Sequence, residues 1–276
     1  WLGADAVTDR SFHYRVPDDA DEVRFSVGMP YVERNLNAFL DQHSENPHLK
    51  TDVLCRTEND RAAEMLRAGR LDGRAPHRLF LTARHHCCEM MANYVLEGLM
   101  NEVLSDTGPG AWLRENAELL IVPFVDKDGV ERGDQGKNRR PYDHNRDYSG
   151  RNRYATVRSI RDLVPAWSED RLRMVLDVHC PNLRSHDNGR DRNESTFFVG
   201  AEGPEIWAQT ERFAHILAEN ATGPLPHDPS DNMPFGEGWN VPETYADGQS
   251  CKDWGAELPG VRMSATLEVP YANARG

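Results

Sequence analysis

A three-layer α/β/α fold, with a mixed, largely parallel central sheet preceded by a short β hairpin, is the class this sequence predicts. Three observations lead there. Short apolar runs alternate with helically spaced stretches over most of the 276 residues. Two of those runs, Leu119 to Val125 and Met174 to Val178, are too apolar for anything but interior strands. The length suits one large core, so we expect residues 30–276 to form a single main domain, with residues 1–29 ahead of it.

Phe12 to Val27 reads as the hairpin: Val16-Pro17-Asp18-Asp19-Ala20-Asp21 supplies a turn, and Val23, Phe25 and Val27 alternate after it. It carries too little apolar surface to stand alone. Val32, Leu36, Phe39 and Leu40 follow helical spacing, while Val53 to Cys55 and Leu79 to Thr82 read as strands. Met91, Val95, Leu99 and Val103 make an apolar stripe on a helix after Glu89, and with Leu119 to Val125 this completes a β-α-β unit. A helix through Val157, Ile160 and Val164, strands Met174 to Val178 and Thr196 to Val199, a helix Pro204 to Asn220 and a last strand Ala265 to Val269 follow. Between Thr222 and Pro259 a Gly- and Pro-rich stretch with Phe235, Trp239, Tyr245 and Trp254 is too long for a connector and reads as a lid or substrate wall. In a sheet of this kind, ligands collect at the carboxyl ends of the strands.

A formal charge of −13 argues against a general nucleic-acid partner, which needs clustered cations. No apolar run approaches the roughly 18 residues of a membrane span. Lysine occurs only at Lys50, Lys127, Lys137 and Lys252, so positive charge is almost all arginine. Five cysteines, Cys55, Cys87, Cys88, Cys180 and Cys251, do not read as a disulfide framework. Compartment and oligomeric state stay open.

Chemistry is concentrated at strand ends. In Arg84-His85-His86-Cys87-Cys88-Glu89, His86 and Glu89 are three apart, as one helical turn would bring them to a shared cation. His85 and Glu89, four apart, fit the same geometry, and spacing does not choose between the histidines. Cys87 and Cys88 lack the spacing of zinc knuckles. Val175-Leu176-Asp177-Val178-His179 ends a buried strand in histidine; alternation puts Asp177 on the same side, two residues away, where direct contact is not expected. Pro123 to Val130 runs from a strand into an Asp-Gly turn, followed by Asp143-His144-Asn145-Arg146, and Glu268 closes the last apolar strand.

These segments resemble, in order, the motifs of the zinc carboxypeptidases of the carboxypeptidase A superfamily (family M14): H-x-x-E, N-P-D-G, D-x-N-R, a strand-terminal histidine and a late glutamate. The R-x-H-x-x-E form, Pro30-Tyr31 and the short distance from Glu89 to His179 bring the chain nearer to the cytosolic-carboxypeptidase-like branch. The resemblance covers Pro30 to Tyr271 and implies one zinc ion held by His86, Glu89 and His179, with His85 a neighbour. It implies Glu268 as general base, Asn145 and Arg146 as the grip on a terminal carboxylate, Asp143 as the group orienting a zinc histidine, and Tyr245 as the tyrosine over the substrate. It also implies that residues 1–29 are the remnant of an N-terminal β-domain. Two departures stand out. Asp126-Lys127 replaces Asn-Pro, and the position expected to hold the oxyanion arginine is Gly136. Arg132, Lys137, Arg139 and Arg140 are near enough to substitute, and Arg139 is the choice made from sequence. His144 has no counterpart in the pattern.

The function so implied is zinc-dependent hydrolysis of the C-terminal amide of a peptide, the partner being a peptide or acyl amino acid with a free carboxylate. Hydrolysis of peptidoglycan stem peptides or N-acyl amino acids would use the same groups. A catalytically silent binder of peptide tails is the contrasting class, motivated by the missing arginine.

Overall fold

In the computed structural model, the described residues are 4–8, 11–137, 139–182, 192–225 and 227–271. The elements begin, after a 3-10 turn at Ala4–Ala6, with helix α1 (Glu33–Gln42) and strands β1 (Leu49–Arg56), β2 (Ala62–Gly69) and β3 (His77–Ala83). Helices α2 (Met91–Leu104) and α3 (Gly108–Asn116) lead to β4 (Ala117–Val122), and α4 (Lys127–Arg132) and α5 (Ala155–Ser168) to β5 (Leu172–His179). Strand β6 (Phe197–Gly200), α6 (Pro204–Asn220), α7 (Cys251–Ala256) and β7 (Met263–Glu268) complete it.

The seven strands form one sheet in the order β1-β2-β4-β3-β5-β7-β6. Its centre, β4-β3-β5-β7, is parallel, and β1, β2 and β6 pair antiparallel at the two flanks. The sheet is therefore mixed as expected, with the parallel character confined to the middle. Every residue of β4 and of β7 is buried, as strands covered on both faces require. Alternation divides them between two cores: Leu81, Leu119, Ile121 and Val178 pack against Leu96 and Met100 of α2, whereas Phe80, Leu120, Val122 and Val175 pack with Val157, Ile160 and Val164 of α5. Among the described residues no helix is long and apolar enough to cross a membrane.

The expected hairpin does not form. Among described residues 11–30 there is no strand; Pro17–Ala20 makes its turn, with Ala20 N–H donating to Pro17 O at 3.1 Å, but Val16, Phe25 and Val27 stay exposed. Phe12 and Tyr14 gather on Phe25 instead, with ring centroids 4.9 and 5.5 Å away. Strand β2, helix α3 and helix α7 are additions that the sequence pattern did not single out.

The Asp126-Lys127 departure keeps a turn. Asp126 caps α4 by accepting from Gly129 N–H at 2.9 Å, and Lys127, its side chain wholly buried, pairs with Glu64 and lies 3.2 Å from Glu33. Removing one partner of a buried pair leaves the other uncompensated. Lys127→Met is expected to cost about 3–5 kcal/mol at neutral pH, read as a lowered urea midpoint; an unchanged midpoint would contradict the assignment.

Candidate metal centre and substrate cleft

Arg84, the residue after β3, is buried with a positive φ of 63°. A left-handed non-glycine residue has to be held there by its surroundings. Its guanidinium does so by donating to Tyr31 O at 2.8 Å, Asn93 Oδ1 at 2.7 Å and Cys87 O at 2.8 Å. The turn sends His85 into the protein and His86 towards the cleft. Glu89 N–H donates to His86 O at 3.1 Å, and helix α2 starts only at Met91, so His86 and Glu89 meet across a tight turn and not along a helical face, as spacing had implied.

His86 Nδ1 lies 2.9 Å from Glu89 Oε1, and His179 Nδ1 lies 2.7 Å from Glu89 Oε2 and 3.2 Å from His86 Nδ1. The three residues offer ligand atoms all within 4.8 Å of one another. Glu89 Oε2, fully buried, has no hydrogen bond of acceptable geometry among the described residues. Two imidazoles and a carboxylate are the donor set of a catalytic zinc site, and a buried carboxylate oxygen left over beside two ring nitrogens fits a cation at that point.

The sheet register fixes the next piece. His179 of β5 pairs with Glu268 of β7, so the glutamate stands beside the histidine. Burial raises the Glu268 pKa, opposed by Lys137 and His179, and its Oε2 is another buried oxygen without a hydrogen-bond partner among the described residues. Lys137 Nζ sits 2.6 Å from Glu89 Oε1 and donates to Cys180 O at 2.7 Å. Burial alone would lower its pKa, but Glu89 and then Glu268 outweigh it, so the lysine stays protonated. Glu89 in turn resists its own burial through Lys137, His86 and His179, which hold it ionised.

His86, Lys137, Asp143, Arg146 and Glu268 line one cleft, walled by Arg192, Phe197 and Trp239. Asp143 reaches His86 Nε2 at 3.3 Å and is held at about 2, His86 outweighing the effect of burial. Arg146 donates to Asn145 O and Thr244 O, leaving its Nη2 without a partner among the described residues.

Three expected residues are placed otherwise. Arg139 is absent from the cleft lining: its guanidinium is taken up by Asp126 and Asp134 behind Cys87. Gly136, where the arginine had been looked for, has φ 92°, and a Cβ there would come within 2.5 Å of Cys87 N, so the close approach of two backbone segments excludes any side chain. Asn145 is buried behind the cleft, accepting from Cys251 N–H at 2.9 Å, with its Nδ2 3.1 Å from His179 Nε2. Tyr245 lies outside the lining too; its hydroxyl donates to Asn240 Oδ1 at 2.7 Å, and its ring takes Arg146 at 4.8 Å and Lys252 at 4.5 Å.

Asp177 does touch His179, Oδ2 to Nε2 at 2.6 Å, against the expectation from strand alternation. Two residues on one face of a strand can meet when their side chains lean towards each other along it. A second buried group, His85, Asp177 and Cys251, has atoms as close together, but these satisfy one another and Thr82 by hydrogen bonds, and burial pushes the Cys251 thiol far above its usual range. His144, unexplained by the sequence, is stacked on Tyr154 with centroids 3.5 Å apart, and burial pushes it down to about 4.

A sequence model described as zinc carboxypeptidase matches residues 36–275. The chain is 23% identical over 233 residues to cytosolic carboxypeptidase 3 of Bos taurus, covering 77% of this chain and 22% of that protein. With cytosolic carboxypeptidase 1 of Mus musculus it shares 26% over 215 residues, 71% of this chain and 17% of the relative. The chain thus spans about a fifth of the length of the curated relatives it matches. Among solved structures, a metallo-carboxypeptidase from Burkholderia cenocepacia superposes with a TM-score of 0.68 at 24% identity, over 89% of this chain and 61% of that one. The carboxypeptidase A of Helicoverpa armigera gives 0.61 at 15%, over 91% and 68%.

The buried His144 makes stability depend on pH. Its folded pKa lies below the unfolded value, so the unfolded chain binds the extra proton and stability falls as pH drops from about 6.5 towards 4. His144→Phe is expected to gain about 2 kcal/mol relative to the wild type on going from pH 7.5 to pH 5, measured by denaturant midpoints; a pH-independent difference would contradict it.

Proposed function

The chain belongs to the zinc carboxypeptidase family, and on that premise we propose that it is a zinc-dependent metallocarboxypeptidase removing the C-terminal residue of a peptide. The observation that carries the reading is the convergence of His86, Glu89 and His179 beside Glu268 and Lys137, in a cleft that Arg146 also lines.

His86, Glu89 and His179 would hold one zinc ion, which when bound polarises a carbonyl and lowers the pKa of water. Glu268, buried and with a raised pKa, takes a proton from the attacking water and returns it to the departing amine. The water oxygen bonds to the scissile carbon, the C–N bond breaks, and the proton leaves on nitrogen, so the products are a shortened acid and a free amino acid. Lys137, not Arg139, supplies the cation for the developing oxyanion: it is the protonated donor between Glu89 and the cleft, while Arg139 is consumed by two carboxylates. Arg146 grips the terminal carboxylate with its unpartnered Nη2, a guanidinium being suited to that contact. Asn145 contributes from behind, tying α7 to the wall. Asp143 orients His86. Tyr245 acts on Arg146, whose charge lies over its ring.

The test is a mixed library of short peptides and N-acyl amino acids, with free and amidated C-termini, incubated with zinc-loaded protein and read by mass spectrometry. Loss of single C-terminal residues from the free acids only is expected, and Glu268→Gln should lower the rate by about 10²–10⁴-fold. A zinc-loaded protein that leaves every member intact would favour the silent binder. In steady-state kinetics of the zinc-loaded, folded protein Lys137→Met should lower kcat by about 10²–10³-fold, whereas Arg139→Met should leave kcat near the wild-type value and lower the urea midpoint; the reverse pattern in kcat would return the oxyanion role to Arg139.

A further inference from the structure

Asp177 lies wholly buried in the middle of the sheet, between Thr82 of β3 and Thr266 of β7. A carboxylate out of reach of water must find its hydrogen bonds in the protein. It finds three: Thr82 Oγ1 at 2.8 Å and His85 Nδ1 at 2.8 Å, both on Oδ1, and His179 Nε2 at 2.6 Å on Oδ2. Thr82 and His85 therefore set the plane in which the second oxygen is offered to His179.

His85 has no exposed surface, and both its nitrogens are used. Nε2 lies 2.8 Å from the hydroxyl of Tyr148, itself fully buried. Because an ionised carboxylate only accepts, Nδ1 must carry the proton, and Nε2 is left to accept from the phenol. The protons along this chain are then set: Tyr148 O–H on His85 Nε2, His85 Nδ1–H on Asp177 Oδ1, and His179 Nε2–H on Asp177 Oδ2 at 2.6 Å, the shorter of that nitrogen's two contacts, Asn145 Nδ2 lying 3.1 Å away. The rings of His85 and His179 lie 6° from parallel, 5.7 Å apart, as two groups bound to one planar carboxylate would. The far end of the chain is His179 Nδ1, left with its lone pair and aimed at Glu89.

We propose that His85 is a positioning residue for the metal centre: through Asp177 it fixes the tautomer and ring plane of His179 so that Nδ1 faces the metal, and Tyr148 anchors His85 from behind. The proposal rests on the assignment of His86, Glu89 and His179 as the ligands. It concerns a hydrogen-bond chain three residues deep, so its effect reaches the metal without any contact from His85 or Tyr148.

The experiment measures zinc affinity of the full chain by competition with a chromophoric chelator, with the visible absorption of the cobalt-substituted protein as a second readout. His85→Leu, which removes the donor to Asp177, is expected to weaken zinc binding about 10–100-fold and to move the cobalt bands. His85→Asn, whose amide N–H stands where Nδ1–H stood, should restore most of the affinity and the bands, which a role as mere core filling would not do. Tyr148→Phe should weaken binding by less and in the same direction. His85→Leu protein with a wild-type circular dichroism spectrum, wild-type zinc affinity and wild-type cobalt bands would overturn the proposal; should that variant not fold, unchanged affinity and bands in Tyr148→Phe would overturn it. Zinc affinity unchanged in His179→Ala would overturn the ligand assignment itself, and the proposal would fall with it.

Discussion

The register of three parallel strands is the constraint on which the site depends. Strand β3 pairs with β5 up to Ala83 opposite Val178, and β5 pairs with β7 up to His179 opposite Glu268. One residue of slip in either ladder would turn every side chain of that strand to the other face. Both faces are filled, by α2 on one side and α5 on the other, so the register is specified by packing along the whole strand and not by the polar residues at its end. The hydrophobic core thus decides where the histidine and the glutamate stand.

At that strand edge the electrostatics form one buried unit. Glu89, Glu268, Lys137 and two histidines are packed together, and no member keeps its charge state alone: Lys137 is held protonated by two carboxylates, Glu89 ionised by Lys137 and the two imidazoles, and Glu268 raised by burial. That division between two glutamates, one ionised among cations and one poised to accept a proton, is what a hydrolytic site needs from its carboxylates. Lys137 sits on a loop that passes over the Cys87 turn so closely that only glycine fits at 136, and the same approach that excludes an arginine there brings the next residue to the cleft.

What the sequence made legible were elements whose chemistry and periodicity agree. Leu79 to Thr82 and Met174 to Val178 lead into histidines, and Ala265 to Val269 carries Glu268 near its end, residues that core strands seldom carry, and order along the chain sorted them. Strand β2 was not legible because Ala62-Ala63-Glu64-Met65-Leu66-Arg67 has helical propensities that pairing with β1 and β4 overrides. The Phe12–Val27 stretch has the alternation and the turn of a hairpin, but its Val16, Phe25 and Val27 remain exposed and no ladder forms among these residues. Alternation put Asp177 on the side of His179 but not in contact with it, because the spacing of alpha carbons two apart says nothing of how far the side chains lean together. His85 looked like a bystander, since only the fold brings Tyr148 and Asp177 to its two nitrogens. Lys137 carried one signal, its rarity: three of the four lysines in this arginine-rich chain, Lys127, Lys137 and Lys252, stand in buried or half-buried ion pairs.

Two groups of potential ligands lie at this strand edge, and they differ in one atom type. The His86, Glu89, His179 group is all nitrogen and oxygen, whereas the His85, Asp177, Cys251 group contains sulfur, as would any site recruiting Cys87 or Cys88. X-ray absorption at the zinc edge on protein loaded with one equivalent of zinc separates them directly. With His86, Glu89 and His179 as ligands the zinc shell is nitrogen and oxygen at about 2.0–2.2 Å with no sulfur; a scatterer at about 2.3 Å, the zinc–thiolate distance, would contradict that ligand set.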